Sequence, residues 1–514
     1  MDAVQIPLFR LIVYRTTAAR RRFAWHKLFL VVVVVLGAGL RLSLVAGQRF
    51  HSDEAIYGYW AQLIASGRDP LLLSVPLDKP PLFLYLLAAV FRLLGPGEVA
   101  ARWIGQAASL ITIVLTCHIG RRLYDWPVAL LAAAAMALSP FNILFAPTAF
   151  TDPLMVALAL AAMALVIDGR WGWGGLFAGL AVATKQQAVL FLPLIVALGW
   201  IAPRGRPRGA NLIRLGLAFF GVMLILVGWD ALRWQARASF WQQSAASHGP
   251  LHFVPWWEWG ARLIDWWRLL GYFFASPLLN ALLLLGLPLL LWHNLRRSRS
   301  VDARADWLLT AFGVVFFLLH WLLSFNPWDR YLLGLVPVAS LLLARLLWRA
   351  WLRLGLRQSG LAVLLLLLLL AAPAGNTLRG DYPVGGNQGI YQGLEQVVAF
   401  FRQEAPAGAV VWHHYLGWHY YHYLFDAPLD LRWYADAQTL AIHASTTLAA
   451  ANYLAFPAWE VTAEPATRAA LASAELGLAL ERRIWRADGT PAFSIWRIVP
   501  LDSVMGETWR VRDR

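Results

Sequence analysis

Charge is scarce in this chain. Asp, Glu, Lys and Arg make up only 14% of its 514 residues, against 59% hydrophobic residues and a mean hydropathy of +0.55. A soluble domain carries about a quarter charged residues, so the composition argues against a soluble protein and for a polytopic membrane protein. Carboxylates are especially few: 29 Asp and Glu stand against 44 Lys and Arg, a net charge of +15. Gathered into one stripe, such an excess would suit nucleic acid. Here most of it lies in short loops between apolar runs, which is the signature of membrane topology, and no nucleic-acid partner is expected. The single cysteine, Cys117, lies in an apolar run, so no internal disulfide can form. No fixed-period repeat runs through the chain, and the Leu run 364–370 belongs to a membrane span rather than to a low-complexity tail.

Long apolar runs are abundant. A spanning helix needs about 20 such residues. The candidates are 28–47, 99–119, 126–147, 152–168, 172–186, 187–203, 211–229, 275–294, 307–325, 331–347 and 358–374, about eleven spans by that criterion. Trp126, Trp171, Trp200, Trp229 and Trp307 stand at run edges, where indole rings favour the headgroup level. Arg15, Arg20, Arg21, Arg22 and Lys27 precede the first run, which has membrane-spanning length and contains Arg41. It reads as an uncleaved first span with a cytoplasmic N-terminus, not as a signal peptide. Alternating from there, "GRRLYD", "DGRWG", "PRGRPRGANLIR", "LRRSRSVDAR" and "LWRAWLRLGLR" all fall inside, each with arginine. The stretch "PPLFLYLLAAVFRLLG", 80–95, would reverse that order if it spanned. It is short, and reads as a helix lying in the interface within one outer loop, 48–98.

The expected organisation is a basic cytoplasmic N-terminus, 1–27, an all-α membrane domain, 28–374, and a small α/β domain on the outer face, 375–514. In the last, "GIYQGLEQVVAFFRQEAP" reads as an amphipathic helix. "AVVW" and "NYLAFP" read as strands, and "ALERRIWRADGTPAFSIWRIV" as a hairpin turning at Asp488-Gly489. The ionisable residues collect on the outer side: Asp53, Glu54, Asp78 and Lys79 in 48–98; Asp152 in "APTAFTDP"; Lys185 in "TKQQ"; His248, His252 and Glu258 in 230–274; Asp329 and Arg330 in "FNPWDRY". Such groups are costly near membrane depth and mark pathways or sites.

The ordered set "SDEAIYGYW", "LDKPPLFLYLLAAVFRLLG", "EVAARW", "GRRLYD", "FTDPLMVALAL", "GLAVATKQQAVLFLPL" and "DRYLLGLVPV" resembles the GT-C glycosyltransferases of the protein O-mannosyltransferase and aminoarabinose-transferase (ArnT-like) type. The resemblance covers residues 28 to about 350. It implies the GT-C fold in a bacterial cytoplasmic (inner) membrane. It also implies transfer of a monosaccharide from a polyprenyl-phosphate donor, taken from the bilayer, to a lipid, protein or glycan acceptor at the outer face.

By that resemblance Asp53 is the general base. Inverting transfer needs one carboxylate to take the acceptor proton opposite the leaving group. The competing reading is a helix cap, since Ser52 or Asp53 suits the start of "AIYGYWAQLI". Glu54 would orient Asp53 or meet the acceptor. Lys79, before Pro80-Pro81, is a phosphate-binding candidate or a lysine snorkelling to headgroups; Lys185, Arg330 and Arg102 are further cations for the departing phosphate. Asp152 is a second acidic site residue or, with Thr151 and Pro153, a helix cap. Asp78, His248 and His252 offer imidazole and carboxylate ligands for a divalent cation, zinc, manganese or magnesium. The cluster "WHHYLGWHYYHY", 412–423, offers metal-binding histidines or sugar-stacking rings. The reading favoured for it is an aromatic surface seated on headgroups or packed on the membrane domain. A lipid or glycolipid transporter without transferase activity is the alternative function.

Overall fold

In the computed structural model, residues 25–45, 48–204, 209–295, 300–447 and 451–506 are described. The basic stretch from Arg15 to Arg22, and the centres of the arginine loops at 205–208 and 296–299, lie outside them. Each predicted span corresponds to helix. The helices are α1 (Trp25–Leu42), α2 (Ser52–Ser66), α3 (Leu82–Leu94), α4 (Glu98–Leu123), α5 (Trp126–Leu138), α6 (Pro140–Phe145), α7 (Thr151–Ile167) and α8 (Trp171–Thr184). They continue as α9 (Leu192–Ile201), α10 (Gly209–Ala231), α11 (Phe240–His248), α12 (Trp259–Gly271), α13 (Pro277–Leu295), α14 (Val301–Leu322), α15 (Val336–Arg353) and α16 (Ser359–Arg379). Among the described residues, seven helices are long and apolar enough to cross a membrane: α1, α4, α10, α13, α14, α16, and α15 with the 3-10 turn leading into it.

Two of the predicted spans change in detail. The run 126–147 is two helices, broken at Ser139-Pro140. Proline has no N–H to give and suits a first turn. Ser139 Oγ caps α6 by accepting from Asn142 N at 3.4 Å, and donates to the Phe273 carbonyl at 2.7 Å. The run 187–203 begins with a 3-10 turn, Gln186–Phe191, before α9. Trp171, expected at the headgroups, is instead buried, its ring against Gly199. Helix α3 has 13 residues, too few to span. Phe83, Leu84, Leu87, Ala88 and Phe91 form its buried stripe, while Leu86, Leu93 and Leu94 are exposed.

The chain forms two compact units. One contains the described residues through 45, Asp69–Leu87 and Val99–Gly386; the other contains 48–68, Ala88–Glu98 and 387–506. In the first, Arg41 is fully buried. It donates to Ser109 Oγ (2.8 Å) and to the carbonyls of Gly37 (2.8 Å), Ala137 (2.8 Å) and Met136 (3.1 Å), tying α1 to α4 and α5. A buried guanidinium is tolerable only with such a full set of acceptors.

The second unit is built on a five-stranded sheet of order β2-β1-β3-β5-β4. The strands are β1 (Val410–His413), β2 (Asp430–Trp433), β3 (Asn452–Pro457), β4 (Leu476–Trp485) and β5 (Pro491–Pro500). β1 is parallel to β2 and β3, and β5 is antiparallel to β3 and β4. The expected strands and hairpin are β1, β3 and β4–β5, with Gly489 at φ +80° in the turn. The expected amphipathic helix is α17 (Leu394–Gln403), which buries Leu394, Val397, Phe400 and Phe401. β2 escaped the sequence reading because its polar–apolar alternation, Asp430 to Trp433, lasts only four residues and the strand is partly exposed. The helices α18 (Gly417–Tyr423), α19 (Ala437–Ser445), α20 (Ala463–Ala472) and α21 (Leu501–Gly506) belong to the same unit.

Candidate functional site

In the first unit, four segments remote in sequence bring ionisable groups together. Asp152 sits in the first turn of α7. The N-cap is Phe150 and no side chain caps the helix, so the capping reading of Asp152 does not hold. Its carboxylate is held instead by Lys185 Nζ at 2.5 Å, with both side chains buried. Lys185 is the C-cap of α8, placed by the abrupt change from helix to 3-10 turn. Its ammonium lies 4.5 Å from the centre of the Tyr331 ring, a favourable place for a desolvated cation. Arg330 and Lys79 are close enough for their charges to act on Lys185, and Asp152 acts likewise on Asp329. The Arg330 guanidinium lies over Trp328 (4.6 Å) and Phe150 (5.3 Å).

Lys79 is not a snorkelling headgroup contact. It is mostly buried, bonded to Asp78 and 3.2 Å from His248 Nε2. His248, at the end of α11, also reaches Asp78 Oδ2 at 3.2 Å, and Gln186 Nε2 donates to the Asp78 carbonyl at 3.0 Å. Burial pushes the Asp78 carboxyl up, but the His248 hydrogen bond and the Lys79 charge outweigh it and hold it below its ordinary range. The charges nearly cancel: Lys79, Lys185 and Arg330 face Asp78, Asp152 and Asp329. A phosphate entering here would have to compete with carboxylates for its cations.

The metal set of Asp78, His248 and His252 does not assemble. His252 is held by its own loop, its Nδ1 2.9 Å from the Pro250 carbonyl and its N–H on Ser324 Oγ. Lys79 takes the third place beside Asp78 and His248, where an ammonium opposes a second cation. Among the described residues no three His, Cys, Asp or Glu side chains converge. Arg102 is buried on α4 and donates to the Val45 carbonyl at 3.2 Å, fixing the chain just after α1.

In the second unit, the acidic pair opens α2, but neither Ser52 nor Asp53 is the cap. The N-cap is His51. Its Nδ1 accepts from Asp53 N (3.1 Å), and Glu54 Oε2 accepts from His51 N (2.7 Å). This is a capping box with histidine in the usual Ser/Thr place. The Glu54 carboxylate is thus buried in a backbone role, whereas Asp53 gives the cap only its N–H. Asp53 lies within electrostatic reach of Tyr391, whose hydroxyl bonds Ser52.

Among the described residues the 412–423 cluster holds no metal set; it is mostly buried, with α18 packed on α2, while Trp412 stacks on His443 and His414 on Trp433. His419 Nε2 lies 3.0 Å from the Phe50 carbonyl, and Gln62 Nε2 donates to the His422 carbonyl at 3.1 Å. Burial pushes His413 and His419 down to about 4 and His422 to about 3. Tyr423 donates to Glu98, which also pairs with Arg49 at 3.2 Å. Sequence reasoning missed His51, Gln186, Trp328, Tyr331 and Tyr391; of these, only the direct adjacency of the first four to Ser52-Asp53, Lys185 and Asp329-Arg330 was a signal.

The fold is the GT-C fold of membrane glycosyltransferases. It is similar to ArnT from Cupriavidus metallidurans, with 17% identity over 93% of this chain and 98% of that one and a TM-score of 0.62. It is also similar to the Archaeoglobus fulgidus oligosaccharyltransferase, with 13% identity over 91% of this chain and 74% of that one and a TM-score of 0.53. Residues 78–229 match the family described as dolichyl-phosphate-mannose-protein mannosyltransferase. Among curated proteins, the chain is 25% identical over 326 residues to the undecaprenyl phosphate-alpha-4-amino-4-deoxy-L-arabinose arabinosyl transferase 1 of Pseudomonas fluorescens, covering 58% of this chain and 54% of that protein. A Drosophila melanogaster dolichyl-P-Man:Man5GlcNAc2-PP-dolichol alpha-1,3-mannosyltransferase is 29% identical over 155 residues, 30% of this chain and 29% of the relative. The chain thus matches about half the length of the first relative and under a third of the second.

Proposed function

We propose that this protein is a glycosyltransferase that moves a monosaccharide from a polyprenyl-phosphate carrier to an acceptor hydroxyl at the outer face of a bacterial inner membrane. In this reading its N-terminus is cytoplasmic and its sheet-containing unit is outside. The observation that carries it is the buried Asp152–Lys185 pair with Lys79 and Arg330 gathered around it, in a chain of GT-C fold. Cations that a leaving lipid phosphate can take over from their carboxylate partners are what its developing charge needs. ArnT of Cupriavidus metallidurans has been solved with undecaprenyl phosphate bound, and the arabinosyl relative is named for that carrier.

In the proposed reaction the acceptor oxygen attacks the anomeric carbon as the carbon–phosphate oxygen bond breaks, with inversion. The bonding pair leaves on the polyprenyl phosphate, which needs no proton. Lys79, Lys185 and Arg330 bear the developing phosphate charge, with Asp152 holding Lys185 in position. Asp53 takes the acceptor proton, and Glu54 fixes the loop that presents it. Arg102 supports the site through the chain after α1.

The test is transfer in liposomes from a panel of polyprenyl-phosphate monosaccharides to host envelope extract. Asp53→Asn is expected to lower turnover by about 10²–10⁴-fold with donor binding kept, the range for loss of a general base. Lys185→Gln is expected to weaken both donor binding and turnover. Equal transfer by the wild type and Asp53→Asn would remove Asp53 as the base. Equal donor binding and transfer by Lys185→Gln would remove the cluster as the phosphate site.

A further inference from the structure

A pocket lies wholly within the unit that carries the sheet. Its cavity, about 410 Å³, is lined by Trp412, Arg432, Trp433, His443 and Thr446. The sheet order makes β2 an edge strand, and parallel pairing sets Arg432 beside Trp412. Helix α19 follows β2 and brings His443 over the same face, its ring nearly parallel to Trp412 at 6.3 Å. Trp412 is buried and its Nε1 is already used, donating to Asn452 Oδ1 at 2.9 Å; what it offers the cavity is ring. Trp433 is 60% exposed. Its indole lies almost parallel to the His414 imidazole at 6.4 Å, and His414 is itself placed by the Tyr434 carbonyl at 2.9 Å. Arg432 lies 5.7 Å from the Trp412 ring and is gripped by Asp430, at 2.7 Å and 2.6 Å from two of its nitrogens.

We infer that this pocket binds a neutral saccharide, one or two sugar units of a glycan outside the membrane. The face of an aromatic ring is electron-rich, and a pyranose presents a face of polarised C–H groups to it, with hydroxyls around its rim. Trp433, exposed at the sheet edge, supplies such a ring, while Trp412, buried between His443 and Arg432, forms a closed wall of the pocket. The Arg432–Asp430 pair supplies planar donors beside an acceptor, the arrangement that vicinal hydroxyls use. Because that pair is neutral overall, it favours neither a free cation nor a free phosphate. The guanidinium beside Trp412 opposes a quaternary ammonium in the aromatic position. The volume falls within the range of about 300–1,000 Å³ usual for small-molecule pockets, which are apolar with a few placed polar groups. This pocket is distinct from the cation cluster and does not depend on it.

The experiment is saturation-transfer NMR on the full chain in lipid nanodiscs, without a lipid-linked donor, so its result is independent of the transferase reading. The probes are the methyl glycosides of glucose, galactose and mannose, together with cellobiose and chitobiose; phosphocholine and inorganic phosphate serve as controls. At least one saccharide is expected to bind with Kd on the order of 1 mM. Trp433→Ala is expected to weaken it at least tenfold, and Arg432→Gln severalfold. Trp433 is exposed, so its variant should keep the wild-type melting point, and that is measured alongside. Binding by no saccharide, binding unchanged in Trp433→Ala, or binding of phosphocholine or phosphate alone would overturn the proposal.

Discussion

Asp152 and Lys185 are 33 residues apart in sequence and 2.5 Å apart in space. Nothing in "FTDP" or "TKQQ" announces the partnership, because each motif has a complete local explanation, a helix start and a polar turn. The helix start and the turn are both present, but α7 starts without a side-chain cap and Lys185 is buried rather than solvated. Removing one member leaves the other charge buried alone, which costs about 3–5 kcal/mol, while an apolar pair of similar volume restores stability. Asp152→Ala is therefore expected to lower the thermal unfolding midpoint in detergent well below wild type, and Asp152→Leu with Lys185→Met to recover most of it. Transfer is expected to stay lost in both variants. Recovery of transfer in the double variant would make the pair a structural strut and remove Lys185 from phosphate binding.

Among elements, α2 is the one most changed in meaning. Read alone, "SDEAIYGYWAQLI" is an apolar helix after an acidic turn. In the molecule it is clasped by α18, and Gly58 is the point of closest approach. A Cβ at Gly58 would stand 2.7 Å from His422 Nδ1 and 3.3 Å from the Phe50 ring. Gly58→Ala is expected to cost about 1–3 kcal/mol by overpacking, seen as a lower melting point and faster proteolysis after Arg68. A wild-type melting point would show that α2 is not held by this contact. The His51 cap was equally hidden, since histidine is not among the residues that sequence rules favour there. Elements with strong periodicity fared better. α17, β4–β5 and the long apolar helices read correctly, because each satisfies its hydrogen bonds internally or with its sequence neighbour.

For the whole molecule, the buried histidines set a pH limit. His413 and His419 are pushed down to about 4 and His422 to about 3, below the unfolded value of about 6.5. The unfolded chain therefore binds protons first as pH falls. The stabilisation is complete above about pH 6.5 and is lost progressively from there down through about pH 4 for His413 and His419 and about pH 3 for His422. The melting point is expected to fall across that window, and His422→Gln to flatten the fall. A melting point independent of pH between 6.5 and 4 would show that these rings are hydrated, not buried.

The sequence by itself determined the membrane class, the positions of the apolar helices, the separate sheet-containing unit and the segments that carry charge. Those properties follow from composition and from periodicity within single segments, where the solvent each side chain prefers is decided locally. Only the tertiary structure decided which charges meet and what the histidines do. It also decided how the segments divide, for 48–68 and Ala88–Glu98 group with 387–506. A buried ion pair, a clasped helix and a cavity at a sheet edge depend on contacts between distant segments. Each charge or ring in them is equally compatible, read locally, with a solvated turn.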